Sequence, residues 1–155
     1  MTIVSEVVTL LKADTGAGGV ATLCTGGIYD WQVDAKENGL NRNDTPNAFD
    51  TTTGILKPSC MVRSRADTPD NGIHDEGTGN DSARTVVELW FLNDKDAGFS
   101  VITTARDRAK VVFRTNKTAS GFIPRWAGNT ITGGRDADLN MAAVLRVDYD
   151  VRSVV

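Results

Sequence analysis

The chain has 155 residues, 17 of them basic and 20 acidic, for a formal net charge of −3. That length suits one domain, residues 1–155, with an ordinary hydrophobic core, and the mild acidity argues against a free-standing nucleic-acid binder of the usual basic kind. No run approaches the roughly 18 apolar residues of a membrane helix. The first residues lack a basic stretch followed by an apolar one, so no secretory leader is expected.

Residues 4–31 read VSEVVTLLKADTGAGGVATLCTGGIYDW. Val4, Val8 and Leu11 recur at helical spacing, Val7 and Leu10 widen the stripe, and Ser5 is the expected N-cap. Thr15 to Gly19, with three glycines in five residues, breaks this helix because glycine has too much backbone freedom to lose. Val20 to Cys24 has room for about one more turn. Gly26-Gly27 then releases the chain into a strand at Ile28, Tyr29, Asp30 and Trp31.

Two polar segments follow, 32–53 and 66–82, each expected to be a long loop with too little apolar surface to pack by itself. Ile55 to Arg65 reads as a strand in which Pro58 forces an edge position or a late start. Arg84 to Leu92 is a strand greasy on both faces except at Glu88, as expected between two layers, and should pair with the preceding strand. Lys95 to Arg114 reads as the best helix, with Ile102, Ala105, Ala109 and Val112 on its buried stripe, Phe99 and Phe113 beside them, and Asn93, Asp94 or Asp96 as N-cap. A short strand at 121–127 should precede turns at Gly128-Asn129 and Gly133-Gly134. The last strand alternates cleanly. Ala143, Leu145, Val147, Tyr149 and Val151 face the core, and Val144, Arg146, Asp148, Asp150 and Arg152 face away. This order predicts an α+β fold, a mostly antiparallel sheet of about four strands with helices packed on one face.

The residues predict no enzyme and no cofactor. The only histidine, His74, lies among Asp75, Glu76 and other acids without an orienting framework. The acidic loop fails the EF-hand template, since from Asp67 the third position is Pro69 and the twelfth Thr78 rather than Glu. No Walker, dinucleotide, nucleophile-elbow or HExxH pattern occurs. Cys24 and Cys60 are expected as buried thiols. A metal-dependent hydrolase built on the His74 loop is the rival from a different class, and a monomeric binding module a second. On the wet face of the last strand, Arg146 with Asp148 and Asp150 with Arg152 either pair along the strand or face a neighbouring subunit or channel. Arg125, Trp126 and Trp31 suit either core packing or an interface.

The succession of helix, small-residue break, short apolar turn and GGIYD strand resembles the start of the tail-terminator (tail-completion) proteins of long-tailed bacteriophages, and the downstream order of elements agrees. The resemblance implies a virion structural protein that forms a homo-oligomeric ring, a hexamer. The ring would cap the tail tube and join it to the head connector. Its partners would be its own copies, the tail tube protein and the head-tail connector protein. DNA would pass without specific binding, and no membrane would be involved. The location implied is the head–tail junction, after assembly in the host cytoplasm. A stopper, an adaptor ring or a tube subunit is the near alternative. On this reading Asp67, Asp70, His74, Asp75 and Glu76 contact neighbouring rings, and Arg125, Trp126, Arg146, Asp148, Asp150 and Arg152 face a subunit interface or the channel.

Overall fold

The computed structural model describes residues 2–65, 68–69, 82–136 and 139–154. Helix α1 spans Ile3–Lys12 and starts one turn earlier than expected. Thr2, not Ser5, is its N-cap, and the Thr2 hydroxyl accepts from the Ser5 N–H at 3.1 Å. The reason lies in the stripe itself: Val4 is already a core residue, so the cap must precede it. Val4, Val7, Val8 and Leu11 are buried, which places α1 flat on the sheet.

The small-residue break is a tight turn rather than a loose one. The Thr22 hydroxyl donates to the Thr15 and Gly16 carbonyls at 2.8 and 2.9 Å. Asp14 accepts from the Val20 N–H at 2.9 Å, capping the short helix α2 (Val20–Leu23). A Cβ on Gly19 would stand 2.3 Å from the Asp14 carbonyl oxygen, so this close approach admits only glycine.

Gly27, at φ +107°, swings the chain into β1 (Gly27–Asp30). The other strands are β2 (Ser59–Ser64), the short β3 (Thr68–Pro69), β4 (Ser82–Asp94), β5 (Arg125–Asp136) and β6 (Leu139–Val154). They form one sheet in the order β1-β2-β4-β6-β5, with β3 paired to the start of β4. Only β1 with β2 is parallel. The α+β fold is thus as expected, with more strands than the four counted from sequence. Pro58 acts by delaying the start of β2.

Helix α3 spans Ser100–Thr115 and buries Ile102, Ala105, Ala109, Val112 and Phe113. It begins later than Lys95 because residues 94–98 make their own turn, in which the Ala97 and Gly98 N–H groups donate to the Asp94 carbonyl. Its N-cap is Phe99, which has no side-chain cap bond and is partly exposed rather than on the stripe. The two turns predicted at Gly128-Asn129 and Gly133-Gly134 lie instead inside the twelve-residue β5. The register against β6 shifts between Trp126 and Thr130 and between Thr132 and Gly134, because an irregular strand can absorb glycine as a bulge.

The main core lies between the helices and one sheet face, where Val87, Leu89, Phe91, Leu145, Val147 and Tyr149 meet the buried stripes of α1 and α3. The Phe113 and Tyr149 rings meet edge-on at 4.7 Å. The opposite face carries a smaller core, and its cover corrects the expectation for 32–53. Ala35, Leu40 and Ala48 are buried against Met61, Leu92 and Val144. The segment's Asn, Asp and Thr residues fold it locally. Asp30 accepts from the Gln32 and Val33 N–H groups, Asn41 from Asn43 and Asp44, and Asp50 from Thr52 and Thr53. Such side-chain turns satisfy the backbone without a helix or strand.

Candidate interaction surfaces

The sheet face opposite the helices was expected to be wet, but it is largely closed. Register explains why: Glu88 of β4 lies between Arg63 of β2 and Asp148 of β6, and Trp90 lies between Met61 and Arg146. Glu88 is 3% exposed and Asp148 0%. Arg63 and Arg65 approach Glu88 at 3.3 and 3.1 Å. Asp148 accepts from Arg146 at 3.0 and 3.1 Å and also from Arg65. Arg146 and Asp148 therefore do pair along β6, as one of the two sequence readings had it, but as members of a five-residue network built on two buried carboxylates rather than as an exposed couple.

Two tryptophans complete this face. The Arg63 guanidinium lies 5.0 Å from the Trp31 ring and 5.9 Å from Trp90, and Arg146 lies 5.5 Å from the other reach of Trp90. Trp31, Arg63, Trp90 and Arg146 thus form a ladder across the sheet. Each guanidinium interacts with an aromatic quadrupole; Arg146 also donates to Asp148, and Arg63 is an ion-pair neighbour of Glu88. Arg63 and Arg65 keep about two-fifths of their side-chain surface in solvent. Beside the ladder a hollow of about 310 Å³ opens between Thr2, Trp31, Glu37, Arg63 and Thr85. Of the two carboxylates that line it, Asp30 and Glu37, Asp30 is already spent on the backbone of its own turn.

The second surface lies where α3 ends and β5 begins. Trp126 is 54% exposed, which decides against the core reading for this residue, and Ile123 is exposed beside it. Lys110 holds its ammonium 4.3 Å from the Trp126 ring centre. Two hollows of about 380 and 490 Å³ share Ile123, Arg125 and Trp126. Arg114 lines the first, and Lys117 and Asp150 the second. Residues 110–126 contain four cations, Lys110, Arg114, Lys117 and Arg125, and no acid. The rest of the chain therefore stands seven charges to the acidic side.

Of the residues predicted for interfaces, Arg125 and Trp126 come together at this groove with Asp150, whereas Arg146 and Asp148, further along the same strand as Asp150, belong to the ladder. Arg152 stands opposite Arg84 in the β4–β6 register. Asp67, Asp70, His74, Asp75 and Glu76 lie outside the described residues. The sequence reasoning missed Lys110, Arg114 and Lys117 as a group, although an acid-free basic run was there to be read. It also missed Arg63 and Arg65.

Neither surface has the constellation of a nucleophile with an oriented base. Among the described residues no group of three His, Cys, Asp or Glu side chains could hold a metal ion, and no helix is long and apolar enough to cross a membrane. Cys24 and Cys60 are free and buried as expected. Burial pushes Cys24 up to about 12 and Cys60 well above the ordinary thiol range. Burial likewise raises the Tyr149 phenol. Elsewhere, Arg108 grips Asp14 with two bonds of 2.9 Å and holds its carboxyl below the usual carboxylate range.

No model of a known protein family matches the chain, and no curated protein matches it.

Proposed function

We propose that this protein is a ring-forming structural subunit of a long-tailed phage virion, the tail terminator that caps the tail tube and meets the head connector. The observation that carries the reading is the separation of charge and apolar exposure on one subunit. A basic groove with an exposed tryptophan borders the β5 edge of the sheet, while the remainder of the chain is acidic. A cyclic ring is built from heterologous contacts, which need two different and complementary surfaces on each copy. The resemblance of residues 4–31 and the order of elements add to it. The work of such a protein is association: one ring face meets the last tube ring, the other the connector, and DNA passes through a lumen to which it does not adhere. It acts at the head–tail junction of the virion, after synthesis in the host cytoplasm.

The test is the mass of the assembled species. Native mass spectrometry and light scattering are run on the protein alone and with tail tubes of the phage that encodes it. A closed ring, six copies on this reading, found only at tube ends is the expected result. Stacking into long tubes would make it a tube subunit, and binding to connectors but never to tubes a stopper or adaptor. A monomer that ignores both at every concentration would remove the reading.

A further inference from the structure

Resting on the ring reading, we infer that the Trp126 groove receives the Val33 turn of the neighbouring copy, so that successive subunits join across opposite edges of the sheet. Val33 and Trp126, 67% and 54% exposed, are the two most exposed large hydrophobic side chains among the described residues. They stand in opposite charge. Beside Trp126 lie Lys110, Arg114, Lys117 and Arg125, and the two hollows that share Ile123 and Trp126 make this surface concave. Beside Val33, residues 30–37 hold three acids, Asp30, Asp34 and Glu37, and one cation, Lys36. The Lys36 ammonium is drawn 3.3 Å from Asp44, which leaves the turn acidic. The other exposed apolar residues match the groove less well. Ile55 is followed by Lys57 and has no acid nearer than Asp50, and Phe99 and Val101 are each only 37% exposed. Burying Val33 against Trp126 and Ile123 would drive the contact. The opposed charges would orient it, and salt would weaken it.

The fold keeps the two surfaces of one subunit apart. The turn is pinned to the end of β1. The Asp30 carbonyl accepts from the Asp34 and Ala35 N–H groups and the Trp31 carbonyl from the Glu37 N–H. The Asp34 carboxylate accepts from the Asp30 N–H at 2.8 Å, and Ala35 is fully buried behind the turn. The groove is fixed as well, because Arg125 and Trp126 stand in register with Asp150 and Tyr149 of β6. β1 and β5 are the two ends of the strand order, four strand spacings or about 19 Å apart. Both partners are held by their own strands, so neither can cross that distance. Knob and socket on opposite edges of one subunit are what a head-to-tail contact requires.

The experiment is disulfide trapping in the condition where the unmodified protein assembles, alone or on tubes. Val33→Cys and Ile123→Cys are made separately and together. Both positions are exposed, the native thiols are buried, and circular dichroism checks folding. Oxidation is carried out at a concentration where native mass spectrometry shows each variant in rings. An equimolar mixture of the two single variants is expected to give disulfide-linked pairs containing one of each, and the chain with both cysteines a ladder of multimers that ends at the ring size. Val33→Ser and Trp126→Ser, which leave every charge in place, should each raise the protein concentration needed for assembly about fivefold or more. Glu37→Lys and Arg125→Glu should each do the same, and their mixture should recover. Rings that form without mixed pairs, or a Val33→Ser protein that assembles at the unmodified concentration, would overturn this contact while leaving the ring reading intact. So would a doubly substituted chain that closes its disulfide within itself, or single variants that link only to their own kind. An unmodified protein that never assembles would remove both.

Discussion

Asp148→Asn tests whether the buried charge network holds the outer sheet face together. Asp148 has no exposed surface and accepts from Arg146 at 3.0 and 3.1 Å as well as from Arg65. Removing its charge leaves Glu88 as the remaining carboxylate for three guanidinium groups. Deleting one partner of a buried pair costs about 3–5 kcal/mol. Here Arg65 and Arg146 keep 43% and 22% of their side-chain surface exposed and rehydrate in part, which brings the expectation to about 2–3 kcal/mol. For a chain of this size that lowers the melting temperature by about 4–12 °C. Urea unfolding followed by tryptophan fluorescence measures it, with Trp31 and Trp90 as local reporters. The control is Asp107→Asn, whose carboxylate is 58% exposed beside Arg106 and should change stability by less than about 0.5 kcal/mol. If Asp148→Asn behaves like that control, the network is ornamental and the reasoning fails.

Three further outcomes are expected. Because Arg108 lowers the Asp14 carboxyl, the stability it supplies is complete above the unfolded value near 3.9 and is lost as pH falls through the lower folded value. The difference between the native protein and Asp14→Asn should therefore be constant from neutral pH to about pH 5 and shrink below it; a gap that widens in acid would contradict the pairing. Gly19→Ala places a methyl 2.3 Å from the Asp14 carbonyl oxygen and should cost about 1–3 kcal/mol, seen as a lower urea midpoint, whereas Gly16→Ala, with open space around it, should cost far less. Calcium, magnesium and zinc at millimolar levels should leave the melting temperature unchanged; a saturable rise would shift attention to the His74 loop as a metal site, because a ligand of the native state stabilises by mass action.

Periodicity made much of this architecture legible. The α1 and α3 stripes, the two-faced β4 and the alternation of β6 each repeat a local pattern that burial dictates, and the sheet with helices follows from their order. What sequence concealed was pairing across distance. Trp31, Arg63, Trp90 and Arg146 become neighbours only through a register that brings four separate segments together. The signal present was the motif Glu88-x-Trp90 on one strand and Arg146-x-Asp148 on another, which match when the strands run antiparallel. Segment 32–53 misled because Ala35, Leu40 and Ala48 have no period, and buried surface there rests on side-chain turns. The glycines of β5 misled because the same residue serves a turn and a bulge. The groove was half legible: Arg125 and Trp126 stood out, while Lys110, Arg114 and Lys117 join them only once α3 and the segment after it pack beside β5.

The two thiols come from different elements, Cys24 at the end of α2 and Cys60 near the start of β2, both shut inside the main core. With Cys24 pushed up to about 12, its reactive thiolate fraction at neutral pH is on the order of 10⁻⁵. Alkylating reagents will therefore report openings of the fold and little else. Both sulfurs sit in the core between helices and sheet, so a peeling of the helices uncovers the two together, and their labelling reports the opening of that seam. The protein thus has an internal gauge of its own breathing that needs no engineered probe, and comparing free subunits with assembled ones would show whether association tightens the seam between helices and sheet.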